Sequence, residues 1–436
     1  MKNIEVNLVE KKFISGLLFF AVLSALLPSG FSWVDYDESI SAVEGSVGFK
    51  VQWGAIIAAS FFIVIKNRYY VLSQIVYSNG FLFALCIYCG LSIIWSPMES
   101  ATLKKTIQFL GLILLSFAIQ CDGRAWSYHV KVILAALLSI EVASLFVALF
   151  IPSIGIDDYF GYAWRGVVAG KNGLGAVGAL SLLLWIALGR HEFINKKIYW
   201  TGIFFSLLCV VMSKSSTGIL IAGMGSLTFF VFNKQHIGSP LWSQRLTVAL
   251  GMFILLLLHG YYIHEGVFPG RADILAPVAG LFGKTSDLTG RSDIWEPLII
   301  EIQKHWFLGI GYGAFWLGPG SPSQPILDSL IWIPLQGHNG YLDLLNELGA
   351  VGCLLFVGWL IAYVRDLLRL AEIDRQAGAL FGAVLVTFLF SNLTESSMFR
   401  GVNFSFLLMI LSCVSVTTAL NQYRRIEKTT LSGSLA

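Results

Sequence analysis

Apolar runs long enough to cross a membrane recur along almost the whole chain. They fall at roughly 13–32, 51–65, 79–95, 105–121, 130–152, 172–189, 199–213, 217–233, 246–264, 340–364, 377–393 and 401–421, so about twelve spans are expected. Backbone in lipid must satisfy its own hydrogen bonds, so runs of this length become helices. Of the 436 residues, 56% are hydrophobic and only 13% charged, and mean hydropathy is +0.74. The sequence therefore predicts an all-α polytopic membrane protein, a single integral membrane domain over 1–436. Its one long loop, 265–337, lies between the ninth and tenth spans. Several runs carry Gly or Ser, which membrane helices use for close packing.

Orientation follows from Lys and Arg. With a cytoplasmic N-terminus, inside segments carry 18 of the 29 basic residues, among them Lys11, Lys12, Lys66, Arg68, Arg365, Arg369 and Arg424. An even span count returns the C-terminus to the cytoplasm. The first run has a basic start and no small-residue cleavage site after it, so it reads as a retained span. The net charge of +3 gives no reason to propose nucleic acid as a partner. Cys86-x-x-Cys89 lies on one helical face without a His or a second pair nearby, so these are read as small buried side chains.

The outer loops carry the chemistry. Loop 33–50 is acidic, with Asp35, Asp37, Glu38 and Glu44; such a cluster can hold a metal for a sugar diphosphate but is more often a solvated loop. Loop 153–171 holds Asp157-Asp158 and then Arg165 to Gly175, in which Arg165 and Lys171 flank glycines that let backbone approach an anion. The tight turn Ser213-Lys214-Ser215-Ser216-Thr217-Gly218 puts another cation at the membrane surface. In the long loop, Arg271 is a further cation. Ile294, Trp295, Leu298, Ile299, Ile302 and Trp306 recur at helical spacing, an amphipathic segment expected on the bilayer surface or on the spans. Arg291 would stand at its N-terminus, and Pro297 in its first turns. Gly309-Ile310-Gly311-Tyr312-Gly313 has no preceding strand and reads as a turn rather than a nucleotide loop. Loop 391–400 adds Glu395 and Arg400. Glu141, inside the fifth run, reads as structural or as a proton-carrying group.

At the start of the tenth run stands His338-Asn339-Gly340. Asn339 there can simply cap the helix, yet an imidazole at the water–lipid boundary can also accept a proton at ordinary pH. Taken with the outward cations, it suits a reaction in which a diphosphate leaves and a hydroxyl attacks. The cations stabilise the developing charge, and arginine does so with a planar fork. The histidine takes the hydroxyl proton, an effect of about 10²–10⁴-fold. A transporter of lipid-linked sugars is the rival class and would need a charged path through the membrane.

His338-Asn339, nine residues, then Gly349-Ala350-Val351-Gly352 resembles the periplasmic signature of bacterial O-antigen ligases, H-[NSQ]-x9-G-x-x-[GTY]. Arg165 to Gly175, the Ser213–Ser216 turn and Thr289 to Trp295 are similar to motifs of the wider O-antigen ligase/polymerase family. The resemblance covers roughly 160–400. It implies a GT-C-like membrane glycosyltransferase of the bacterial inner membrane, active at the periplasmic face without metal or other cofactor. Such an enzyme transfers O-antigen polysaccharide, with inversion, from undecaprenyl diphosphate to lipid A-core. His338 takes the catalytic role by this resemblance, and Arg165, Lys171, Lys214 and Arg291 bind the diphosphate of the donor. Asn339, Arg271, Glu395 and Arg400 support them. Lys214 stands where many members carry Arg. Polymerases of lipid-linked surface polysaccharides share much of the pattern.

Overall fold

The computed structural model describes residues 7–28, 47–157, 161–189, 195–233, 291–330 and 333–433. Thirteen helices organise them: α1 Leu8–Leu26, α2 Val47–Lys66, α3 Arg68–Ile75, α4 Gly80–Leu91, α5 Glu99–Gln120, α6 Trp126–Phe150, α7 Lys171–Leu188, α8 Lys196–Met212, α9 Ser216–Asn233, α10 Arg291–His305, α11 Gly340–Ile373, α12 Arg375–Ser391 and α13 Phe404–Gly433. Three short helical turns, Ser92–Ile94, Pro152–Gly155 and Gln324–Leu327, and a two-residue antiparallel pairing, Ile156–Asp157 with Ala163–Trp164, complete them. Among the described residues, seven helices are long and apolar enough to cross a membrane, or up to eight if a bent pair counts as one span. The chain is a mostly helical, polytopic membrane protein. Every expected apolar run within the described residues coincides with a helix. The run at 246–264, Arg271, Asp35, Asp37, Glu38, Glu44 and Asp158 lie outside them.

Packing sorts the helices by composition. α13 is the centre, with Phe406, Met409, Ile410 and Val416 all fully buried, and it packs against α5, α11 and α12. Around it, α7 packs on α8 and α9, and α9 on α12. Glycines allow the close approaches: a Cβ at Gly218 of α9 would lie 2.9 Å from the Gly175 backbone of α7. α2 sits at the rim, with Phe61 and Phe62 exposed, as befits side chains facing lipid rather than water. Glu141 is wholly buried on α6, facing Ser181 of α7 and Ser206 of α8, which bond each other at 2.9 Å.

Two spans depart from straight helices. The run near 79–95 is the second arm of a pair, Arg68–Ile75 with Gly80–Ile94, bent by 101°. α11 is broken at Gly349, whose φ of 62° is left-handed. The segment 306–311 fills that break. Ala350 N donates to Trp306 O (2.8 Å), Ile310 N to Asn346 O (2.9 Å) and Gly311 N to Glu347 O (3.0 Å), so the backbone groups freed by the break are bonded. A Cβ at Gly349 would stand 2.4 Å from Gly309 N and from Phe307 O. The Gly309–Gly313 stretch is thus a turn, as expected, with left-handed φ at Gly309, Gly311 and Gly313. α10 lays Ile294, Trp295, Leu298 and Ile302 against Phe315, Trp316, Ile326 and Leu342; Trp306, past its end, is exposed.

Candidate active site

The residues before α11 are held from both sides. Gly337 N donates to Asp343 Oδ2 (3.1 Å) of the first turn of α11, and Trp295 Nε1 of α10 donates to Gly337 O (2.8 Å). Trp316 Nε1 occupies Asp343 Oδ1 at 2.7 Å. Asn339 caps the helix, its Oδ1 accepting from Tyr341 N and Leu342 N, as the capping reading holds. Its own N–H donates to Ser396 Oγ (3.1 Å). Gly340 lies where a Cβ would be 2.2 Å from Asn392 Oδ1, so no larger residue fits there. Between clamp and cap, His338 adopts φ 49°. That left-handed conformation costs an ordinary residue about 1–2 kcal/mol, and the surrounding bonds impose it.

The imidazole meets a carboxylate that lies 57 residues further on. His338 Nδ1 and Glu395 Oε2 are 3.0 Å apart, and Gln336 Nε2 is 3.0 Å from the same oxygen and 3.2 Å from Nδ1. An ionised carboxylate only accepts. A neutral ring that donates from Nδ1 to Glu395 keeps its lone pair on Nε2. Both side chains are partly open, 23% and 21% exposed, so the ring is reachable. Glu395 Oε1 accepts from Asn172 Nδ2 of α7 (2.8 Å), and Asn172 Oδ1 accepts from Ser215 Oγ (3.0 Å) in the turn before α9. Loops from four places in the sequence thus meet at one end of the bundle, with Thr217 and Thr394 in contact beside them.

The cations are distributed less simply than their spacing suggests. Lys171 opens α7 next to Asn172. Lys214, left-handed at φ 47°, is exposed and donates to Gly161 O at 2.7 Å. Arg165 turns back on its own loop, donating through Nε to Ile154 O (2.6 Å) and through Nη2 to Ser153 O (3.2 Å). Arg291 is the first residue of α10; its side chain lies outside what is described. Arg400 donates to Leu335 O and lies 3.5 Å from Glu347 Oε1, and Glu347 Oε2 accepts from Gly313 N (2.8 Å). Lys105 of α5 joins that cluster, its stem against Gly313 and its Nζ beside Gly401.

Gln336, Asn172, Ser215, Glu347 and Lys105 were not singled out from the sequence. Asp343 and Glu347 did leave a sign, two acids four residues apart at the start of an apolar run, where charge is costly. The others announce themselves only through contacts distant in sequence.

Fold and site together define a polytopic membrane protein with an imidazole–carboxylate pair at one polar end of its helix bundle. Residues 201–357, which contain Lys214, Arg291, His338 and Asn339, match the family model described as O-Antigen ligase. Over 327 residues the chain is 24% identical to the Exopolysaccharide production protein ExoQ of Rhizobium meliloti (strain 1021), covering 70% of this chain and 70% of that protein. Both findings support the O-antigen ligase/polymerase family.

Proposed function

We propose that the chain is an inverting membrane glycosyltransferase, an O-antigen ligase that moves a polysaccharide from undecaprenyl diphosphate to a sugar hydroxyl of lipid A-core. The observation that carries this reading is the His338–Glu395 pair, Nδ1 standing 3.0 Å from Glu395 Oε2 on a partly exposed ring. The acceptor oxygen attacks the anomeric carbon of the donor sugar and gives its proton to His338 Nε2, while the bond to the diphosphate breaks on the opposite face. Lys171, Lys214 and Arg291 stabilise the departing diphosphate, a role in which fixed charge counts most away from water. Arg165 and Arg400, engaged with backbone carbonyls, shape the loops that carry the other groups, and Arg271 belongs to the long loop 265–337. In this reading the chain has twelve spans and a GT-C-like architecture. It sits in the bacterial inner membrane with both termini cytoplasmic, the loop 265–337 and the site in the periplasm, and no metal in the reaction.

The test is reconstitution of the full chain in liposomes with purified polysaccharide on undecaprenyl diphosphate and lipid A-core as acceptor. A single polysaccharide block appearing on the acceptor is expected. Donor left intact, or an His338→Ala variant as active as the wild type, would overturn the reading. A second reading, a polymerase of lipid-linked surface polysaccharide, is favoured by the similarity to an exopolysaccharide production protein. It gives a ladder of lengths still on the carrier. A transporter of lipid-linked sugars makes no new glycosidic bond in either assay.

A further inference from the structure

We infer that Asn172, held by Ser215, is a positioning residue for the base. It fixes the rotation of Glu395 and so the direction in which His338 Nε2 points. The inference rests on the catalytic role of His338 proposed above.

Glu395 sits on a short loop without helical support, and a free carboxylate there would turn about its last torsion. Two separate arms prevent this. Gln336 and His338 occupy Oε2, at 3.0 Å each. Asn172 Nδ2 occupies Oε1 at 2.8 Å, while its own Oδ1 is taken by Ser215 Oγ at 3.0 Å. The amide of Asn172 thus has one donor and its acceptor committed in opposite directions, which sets its flip without ambiguity. Ser215 is itself buried and fixed, its Oγ also accepting from Gly218 N (3.1 Å) and its N–H reaching Ser213 Oγ (3.3 Å).

The second arm also joins the base to the cations through the chain. Lys171 precedes Asn172, and Lys214 precedes Ser215. An anion drawn to either ammonium acts on backbone one residue from the arm that steers Glu395. Removing this donor takes away the 2.8 Å bond that holds Oε1 and loosens the hold of the carboxylate on the ring. A base misplaced by about 1 Å loses on the order of 10²-fold.

The experiment is a double-mutant cycle on the full chain in liposomes, with Asn172→Ala, Glu395→Ala and the pair. Turnover and the KM for the undecaprenyl-diphosphate donor are measured for each. Asn172→Ala is expected to lower kcat about 10–100-fold with the donor KM little changed. It should have no further effect once Glu395 is already Ala, because the two act as one unit. Asn172→Asp, which sets an acceptor against Oε1, should be at least as damaging as Ala. Ser215→Ala, which loosens the same arm without touching Asn172, should cost a few-fold and controls for any misfolding of Asn172 variants. Additive losses in the cycle, a full-rate Asn172→Ala, or a loss confined to KM would each overturn the inference. If His338→Ala is as active as wild type, the functional reading fails instead. The hydrogen-bonded Nδ1 proton of His338, assigned by its disappearance in His338→Ala, then decides the inference alone. It should broaden or be lost in Asn172→Ala, and an unchanged resonance would sink the positioning role.

Discussion

At the residue scale, the conformation of His338 separates a catalytic from a packing role. A left-handed φ of 49° is tolerated by Asn better than by most residues. His338→Asn is therefore expected to insert and unfold like the wild type while transfer falls by at least about 10²-fold, since the amide cannot act as a base. Thermal unfolding and product formation on the same preparation check this; loss of both together would mean that the ring is needed for folding. Arg165 invites the opposite expectation. Its guanidinium is spent on Ile154 O and Ser153 O, so Arg165→Lys should loosen loop 151–165 and lower the unfolding temperature more than it raises the donor KM. Lys171→Ala should raise the donor KM. Steady-state kinetics in which Arg165→Lys shows the larger KM effect would return Arg165 to the diphosphate. The sequence already named His338, Glu395 and Lys171 as members of one outward set. It could not pair His338 with Glu395, because a contact across 57 residues has no local signal, nor could it foresee that Arg165 bonds its own loop.

At the element scale, the broken helix α11 explains both halves of the H-N-x9-G-x-x-G stretch. The His-Asn-Gly half makes the cap and the strained ring position. The glycine half admits the segment 306–311 into the helix, with Gly349 and Gly309 back to back. That segment leads on to Gly313, Trp316 and the clamp on Gly337, so the break and the base are one construction. Gly349→Ala would carry a Cβ into Phe307 O and Gly309 N, and it would also hold a left-handed φ that costs Ala about 1–2 kcal/mol. A lowered unfolding temperature with a parallel loss of transfer is expected, and Gly309→Ala should do the same. Wild-type stability in both variants would show that the break is not needed. The apolar pattern of 340–364 made the span legible but not the break, since Gly in a membrane run more often serves packing. The amphipathic face of α10 was legible from its period, although its partner is a loop and the start of α11 rather than the bilayer.

At the scale of the whole molecule, the distribution of charge gives the bundle its two ends. The described loops assigned outward meet around His338, while Lys66 and Glu10 pair at 2.6 Å near the opposite end, where the inside set was expected. The apolar periods and the basic bias together were enough to divide the chain this way. A cysteine introduced at exposed Lys214 should react with an impermeant thiol reagent added outside, and one at Lys66 only after lysis; the reverse pattern would turn the site toward the cytoplasm. The same division bears on metal. In the proposed reading, positive charge for a departing diphosphate comes from Lys171 at the start of α7, Lys214 in the turn before α9 and Arg291, the first residue of α10. With His338 as the proton acceptor of that reading, neither charge neutralisation nor activation of the hydroxyl calls for a bound ion. Transfer by the reconstituted chain is expected to continue at its full rate in excess EDTA and to gain nothing from added Mg²⁺ or Mn²⁺. A rate abolished by EDTA and restored by one of these ions would transfer the charge-neutralising role from Lys171, Lys214 and Arg291 to a metal. The acidic groups Asp35, Asp37 and Asp157 would then be the ligands to mutate first.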